Sequence, residues 1–160
     1  MSAIGRFTLV ISCLSVLLCG SGAQAQSYGP SITLDVAKQV LSMAQQEARR
    51  NNLHMAVAIV DTAGNLVAFE RLDDTQSGSI EVAQDKARSA ALYRRSTKVF
   101  QDALAAGGNG LRILTLRGVS AADGGEPIVV NGKVIGAIGV SGGSSDQDGM
   151  VARAGLTALK

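Results

Sequence analysis

Tryptophan is absent from the chain, aromatic residues make up only 3% of it, and it holds two prolines, two cysteines and a single histidine. Each scarcity removes a class of chemistry. With His54 as the one imidazole, a Ser-His-Asp triad has little material to draw on, and no HExxH or CxxC motif occurs. Both cysteines, Cys13 and Cys19, fall within the first 25 residues, so the rest of the chain offers neither a thiolate nor a disulfide. Few aromatics mean few platforms for stacked bases, and 15 basic against 13 acidic residues leave a net charge of only +2. Neither feature directs the chain to nucleic acid or anionic lipid. The local basic run Lys86, Arg88, Arg94, Arg95 and Lys98 is interleaved with Asp85, close to Glu81, and reads as a solvated helix face.

What the chain does have is apolar material: 46% of 160 residues are hydrophobic and 18% charged, enough for one domain with a core of its own. Arg6, the apolar run Phe7 to Leu18 and the small-residue pattern Ala23-Gln24-Ala25 predict a signal peptide over residues 1–25, cleaved after Ala25. That run is shorter than the roughly 20 residues of a spanning helix. Leu18 stands where a lipid-attachment site at Cys19 would want a small residue, so cleavage is the favoured reading. The expectation is a periplasmic or secreted protein whose single domain covers residues 26–160.

The clearest local signals lie near the C-terminus. Asn131-Gly132 separates the apolar runs Ile128–Val130 and Val134–Val140, and a two-residue turn with both φ positive is what Asn-Gly supplies most readily. The second run is apolar on both faces and predicts a central strand, with Gly136 and Gly139 leaving space for a close neighbour. Ser141 to Ser145 then turns the chain into a helix with Asp146 and Asp148 in its first turn and Val151, Ala154, Leu156 and Ala158 as a buried stripe. Upstream, Thr33 is placed to cap a helix to about Asn51, His54–Asp61 is a strand, and Ala63-Gly64-Asn65 turns it into another over Leu66–Arg71. Ser79 is expected to cap a helix to about Tyr93, with Ala83, Ala87, Ala90 and Ala91 as a small-residue contact face. A short helix over Ser96–Ala105 and a strand over Arg112–Leu116 follow. No alternating crossover units occur, which favours an α+β fold with helices over an antiparallel sheet.

Four patterns in this order resemble the GlcG/HbpS family, whose domain is also appended to some corrinoid adenosyltransferases. They are Val60-Asp61-x-x-Gly64-x-Leu66-Val67-Ala68 with Glu70-Arg71-x-Asp73; Ser79-Ile80-x-x-Ala83-x-x-Lys86-Ala87; Gly124-Gly125-x-Pro127-Ile128; and Gly132-x-Val134 through Gly143 with Gln147-Asp148. The resemblance spans about Ile32 to Leu159. It implies a profilin-like layered fold with a five-stranded antiparallel sheet covered by helices, homo-oligomers that are commonly octamers, and, for exported members, haem binding. Asn65 stands where the family often has histidine, and its amide is a poor iron ligand.

If haem or a related tetrapyrrole binds, the axial ligand comes from His54, the thioethers Met43, Met55 and Met150, or the phenols Tyr28 and Tyr93, with His54 the best electronic match. Lys86, within a helix face made mainly of alanines, could hold a propionate or other anion, or form an ion pair with Asp61 or Asp148. Backbone amides at Ser141, Gly142, Gly143 and Ser144 could hold a carboxylate or phosphate, although Asp146 and Asp148 would repel one. Glu81 and Asp85 share a helix side and could serve acid/base work, though two carboxylates on a solvated face are commonly just that. Three functions therefore stand: haem binding in an exported homo-oligomer, an enzyme or sensor of organic acids with its anion site at Lys86 and the glycine turn, or a structural oligomer joined through the alanine face.

Overall fold

In the computed structural model, which describes residues 26–159, a five-stranded sheet is sandwiched between helices. The elements are β1 (Ser27–Tyr28), α1 (Leu34–Arg50), β2 (Ala56–Asp61), β3 (Leu66–Arg71), α2 (Ser79–Tyr93), α3 (Lys98–Ala105), a 3-10 segment (Gly108–Thr115), β4 (Gly125–Val130), β5 (Lys133–Ser141), α4 (Ser145–Gly155) and a closing 3-10 turn (Leu156–Leu159). The proposed signal peptide over residues 1–25, with Cys13 and Cys19, lies outside the described residues.

β5 is the central strand. It pairs antiparallel with β4 on one side, from Gly125 opposite Gly139 to Val130 opposite Lys133, and with β2 on the other, from Ala56 opposite Ser141 to Asp61 opposite Gly136. The turn into β5 has the expected backbone, with φ of 50° at Asn131 and 73° at Gly132. β3 continues the sheet beyond β2 as an antiparallel hairpin partner. The sheet is not wholly antiparallel, however: Ser27 and Tyr28 run parallel to Lys133 and Val134, on the stretch of β5 that extends past its last pairing with β2. Two residues of parallel ladder leave no periodic pattern in a sequence.

The apolar runs in β2 and β5 are continuous because both faces of the sheet are covered. On one face Val57, Ile59, Ile138 and Val140 pack against Val40, Leu41, Ala44 and Ala48 of α1 and Val151 and Ala152 of α4. The other face is lined by small residues, Ala56, Ala58 and Ala137, and receives Ala83, Ala87, Ala90 and Ala91 of α2. Gly139 is what lets α2 sit so close, since a Cβ there would collide with the Ala83 carbonyl oxygen and the Ala87 backbone. The alanine stripe is thus buried against the chain's own sheet and is not an exposed surface for a partner helix.

Local boundaries follow from capping. The Thr33 hydroxyl accepts from the Val36 amide, and Ser144 and Gln147 form a reciprocal capping box at the start of α4. Ser79, expected as a cap, lies inside α2 instead; Gly78 is the N-cap, and the Ser79 hydroxyl is buried against Ser141 Oγ, 3.2 Å away. The expected strand over Arg112–Leu116 is a 3-10 segment that joins neither edge strand of the sheet, β3 or β4; it packs on α3, where Gly110 seats it on the Ala103 carbonyl. In α4 the buried positions are Asp148, Gly149, Val151, Ala152 and Gly155, while Ala154, Leu156 and Ala158 are only half-buried.

Candidate functional site

The loop that ends α1 delivers His54 to the rim of the sheet. Asn52 takes φ of 53°, which a helix C-terminal turn requires, and Asn51 closes the last turn of α1. His54 then precedes β2, and because Ala56 is opposite Arg71, the end of β3 lies beside it. Between them is an open cleft of about 430 Å³ lined by Gln45, Arg49, His54, Glu70, Arg71 and Asp73, with Asn52, Leu53 and Leu72 completing it. The His54 ring is exposed, and its Nδ1 lies 2.8 Å from the Asp73 carbonyl oxygen. A carbonyl only accepts, so Nδ1 is the donor and the lone pair of the neutral ring resides on Nε2. An imidazole oriented through one nitrogen by a backbone carbonyl is the arrangement that metal-ligating histidines use. Arg49 and Arg71 bring two cations to the cleft, Glu70 and Asp73 two carboxylates, and none of the four is in an ion pair among the described residues.

Lys86 and the glycine turn do converge on one point, and that point is the Asp148 carboxylate. Lys86 is 2% exposed, and its Nζ donates to Asp148 Oδ2 at 2.6 Å and to the Val140 carbonyl at 3.2 Å. Asp148 Oδ1 accepts from the Gly143 amide at 2.9 Å. Burial pushes the Asp148 carboxyl above its ordinary value, while the Lys86 ammonium and the amides of Gly143 and Gly142 pull it back. A carboxylate of the chain itself therefore fills the place where an external anion would sit. Asp61 takes no part in this pair: it accepts from the amides of Ala63 and Asn65 and from the Asn65 side chain. Burial is the largest single influence on Asp61, but those hydrogen bonds together hold its carboxyl below the usual value.

The remaining candidates are dispersed. Met55 is wholly buried in the core, Met43 half-buried on α1 and Met150 exposed on α4. The Tyr28 hydroxyl is 3.0 Å from the Ala91 carbonyl oxygen, and the Tyr93 hydroxyl donates to the Arg117 carbonyl at 2.8 Å. Glu81 and Asp85 are exposed on α2, where Asp85 meets Arg88. The Gly142 backbone abuts the His54 carbonyl, but no residue of the Ser141–Ser144 turn reaches the cleft that His54 lines.

Sequence reasoning missed two groups. Arg49 belongs to no motif, and Glu70-Arg71 enter only through a family pattern with no site role; the register of β2 against β3 brings Glu70 and Arg71 to His54, and the last turn of α1 brings Arg49. The second group is a clasp in which Arg153 Nη1 lies 3.0 Å from Glu126 Oε1 and 3.2 Å from Asp123 Oδ2, with Asp123 1% exposed. Burial raises the Glu126 carboxyl, and hydrogen bonds from Arg153 and Ser96 offset this only in part. Among the described residues no group of three or more histidine, cysteine or acidic side chains is arranged to hold a metal ion, and no helix is long and apolar enough to cross a membrane.

A five-stranded sheet covered by helices on both faces defines a mixed α/β protein. The chain belongs to the family described as "haem degrading protein HbpS-like", whose model matches residues 32–157. It is 36% identical over 110 residues to protein GlcG of Escherichia coli K12, which covers 69% of this chain and 81% of GlcG. The crystal structure of HbpS is similar with a TM-score of 0.75 and 30% identity, over 84% of this chain and 94% of that one. A crystal structure of PduOC in complex with haem matches with a TM-score of 0.72 and 27% identity, over 80% and 94% of the two chains.

Proposed function

We propose that this protein is exported, assembles as a homo-oligomer and binds haem or a closely related tetrapyrrole in the His54 cleft. The observation that carries the reading is the 2.8 Å hydrogen bond from His54 Nδ1 to the Asp73 carbonyl, which leaves Nε2 as the acceptor in a cleft that also presents Arg49 and Arg71. Kinship with HbpS, and with a PduOC structure holding haem, supports the ligand class. The donor set fits the group: His54 Nε2 would hold the iron, and Arg49 or Arg71 would hold a propionate. When bound, haem would supply an iron able to take up further ligands or electrons. The protein's part is to fix the imidazole and to set charge around the porphyrin edge.

Titrating the protein with haem and following the Soret band tests this. A saturable shift at micromolar haem is expected, and His54→Ala should alter both the band position and the affinity; a wild-type protein that leaves the haem spectrum unchanged overturns the proposal. The family's description favours a second reading, in which bound haem is consumed. Progressive loss of the Soret band under oxygen and a reductant, with release of chelatable iron, distinguishes turnover from storage. Export is tested by fractionating expressing cells and sequencing the N-terminus, expected at Gln26.

A further inference from the structure

A second concavity lies away from His54, between α3 and the 3-10 segment. It measures about 370 Å³, within the roughly 300–1,000 Å³ of small-molecule sites, and is lined by Tyr93, Val99, Phe100, Ile113 and Leu116 together with Ala103, Arg95 and Arg112. Its walls are fixed. Gly110 rests on the Ala103 carbonyl, Tyr93 donates to the Arg117 carbonyl, and the Tyr93 and Phe100 rings meet edge to face with centroids 5.4 Å apart. Phe100 and Ile113 form the buried floor, while Val99 and Leu116 stay exposed at the edges.

The charges at this groove are of one sign. Arg95 donates Nε to the Tyr93 carbonyl and holds its guanidinium 5.9 Å from the Phe100 ring centre, and Arg112 belongs to the opposite wall. Neither is in a salt bridge among the described residues, and no acidic residue lines the groove. The His54 cleft differs, since there carboxylates and guanidiniums balance. An apolar floor bounded by two unpaired guanidiniums is complementary to a molecule with an apolar body and one anionic head.

We propose that this groove is a second ligand site, distinct from the His54 cleft, that takes an apolar monocarboxylate of the fatty-acid or aryl-acid type. The apolar body lies over Phe100, Val99 and Leu116, and the carboxylate is met by Arg95 and Arg112. The site needs no iron and no partner chain.

Fluorescence titration of the full protein with anilinonaphthalene sulfonate, displaced by decanoate, tests the proposal. Saturable, decanoate-competable binding is expected. Arg95→Gln combined with Arg112→Gln should weaken decanoate at least tenfold and leave the uncharged analogue decanol within about twofold. Ala103→Trp, which fills the groove, should abolish both, with circular dichroism reporting whether it folds; Arg112→Gln alone, at an exposed position, gives a readout independent of that variant. His54→Ala should change nothing, which separates this site from the haem proposal. The inference is overturned if decanoate fails to compete, if the arginine variants bind it normally, or if haem displaces the probe and the arginine variants lose haem, which would make the groove the tetrapyrrole site. Concentration-dependent self-association that expels the probe overturns it as well, by making the groove a contact between copies.

Discussion

Lys86 shows how one residue's role turns on its partner. A lone buried ammonium would be an anion site, but this one is neutralised by a carboxylate eight residues past Val140, and the glycine turn amides finish the cage. Breaking a buried pair leaves the other charge stranded, so Lys86→Met is expected to destabilise the protein by about 3–5 kcal/mol, and adding Asp148→Leu should recover most of the loss. Urea denaturation of the two variants checks this, and equal loss in both would contradict a charge-pair role. Glu126 makes a different statement. Its carboxyl is raised above the ordinary 4.5, so the folded state holds that proton more firmly than the unfolded chain does. Its contribution is therefore fully present below 4.5 and lost as pH rises through the folded value. Asp61, lowered from 3.8, acts in the opposite sense, stabilising above that pH and losing the contribution below it. Glu126→Gln should flatten the dependence of the urea midpoint between mildly acidic and neutral pH and leave the acid limb unchanged.

Glycines set the spacing of elements, and two of them separate the possible reasons. Gly132 has open space around it and matters only for its φ of 73°, so Gly132→Ala should cost about 1–2 kcal/mol, the penalty of a left-handed L-residue. Gly139 has a helix on top of it, and Gly139→Ala must push α2 off the sheet. Overpacking typically costs roughly 1–3 kcal/mol and sometimes more, and a collision with backbone belongs at the upper end. Thermal melts should rank wild type above Gly132→Ala above Gly139→Ala, and the reverse order of the two variants would mean that α2 has slack. The same reasoning explains which elements were readable. Thr33, the Asn131-Gly132 turn and the doubly apolar β5 announce themselves because each depends on neighbours in sequence. The stretch Arg112–Leu116 has the apolar content of a strand but packs on α3 and not on a sheet edge, and no local signal states that.

For the molecule as a whole, the proposed assembly is a homo-oligomer, and light scattering of the chain from Gln26 onward should give a mass several times that of one chain. A monomer with an intact haem titration would separate ligand binding from assembly. The alanine face once available as a subunit contact is occupied by the sheet, so the contact surfaces must be sought elsewhere. By itself the sequence determined the scarcity of catalytic groups, the hairpins, the central strand, the family and His54 as the best single ligand candidate. Those rest on composition, on residues close together along the chain, and on ordered motifs. Tertiary structure alone decided that Asp148 takes Lys86, that Asp73 orients His54, and that Arg49 and Arg71 share its cleft. Each of these joins residues from different elements, and which side chains meet is set by strand register and by how closely a helix can approach a face of small residues, quantities that no local pattern encodes.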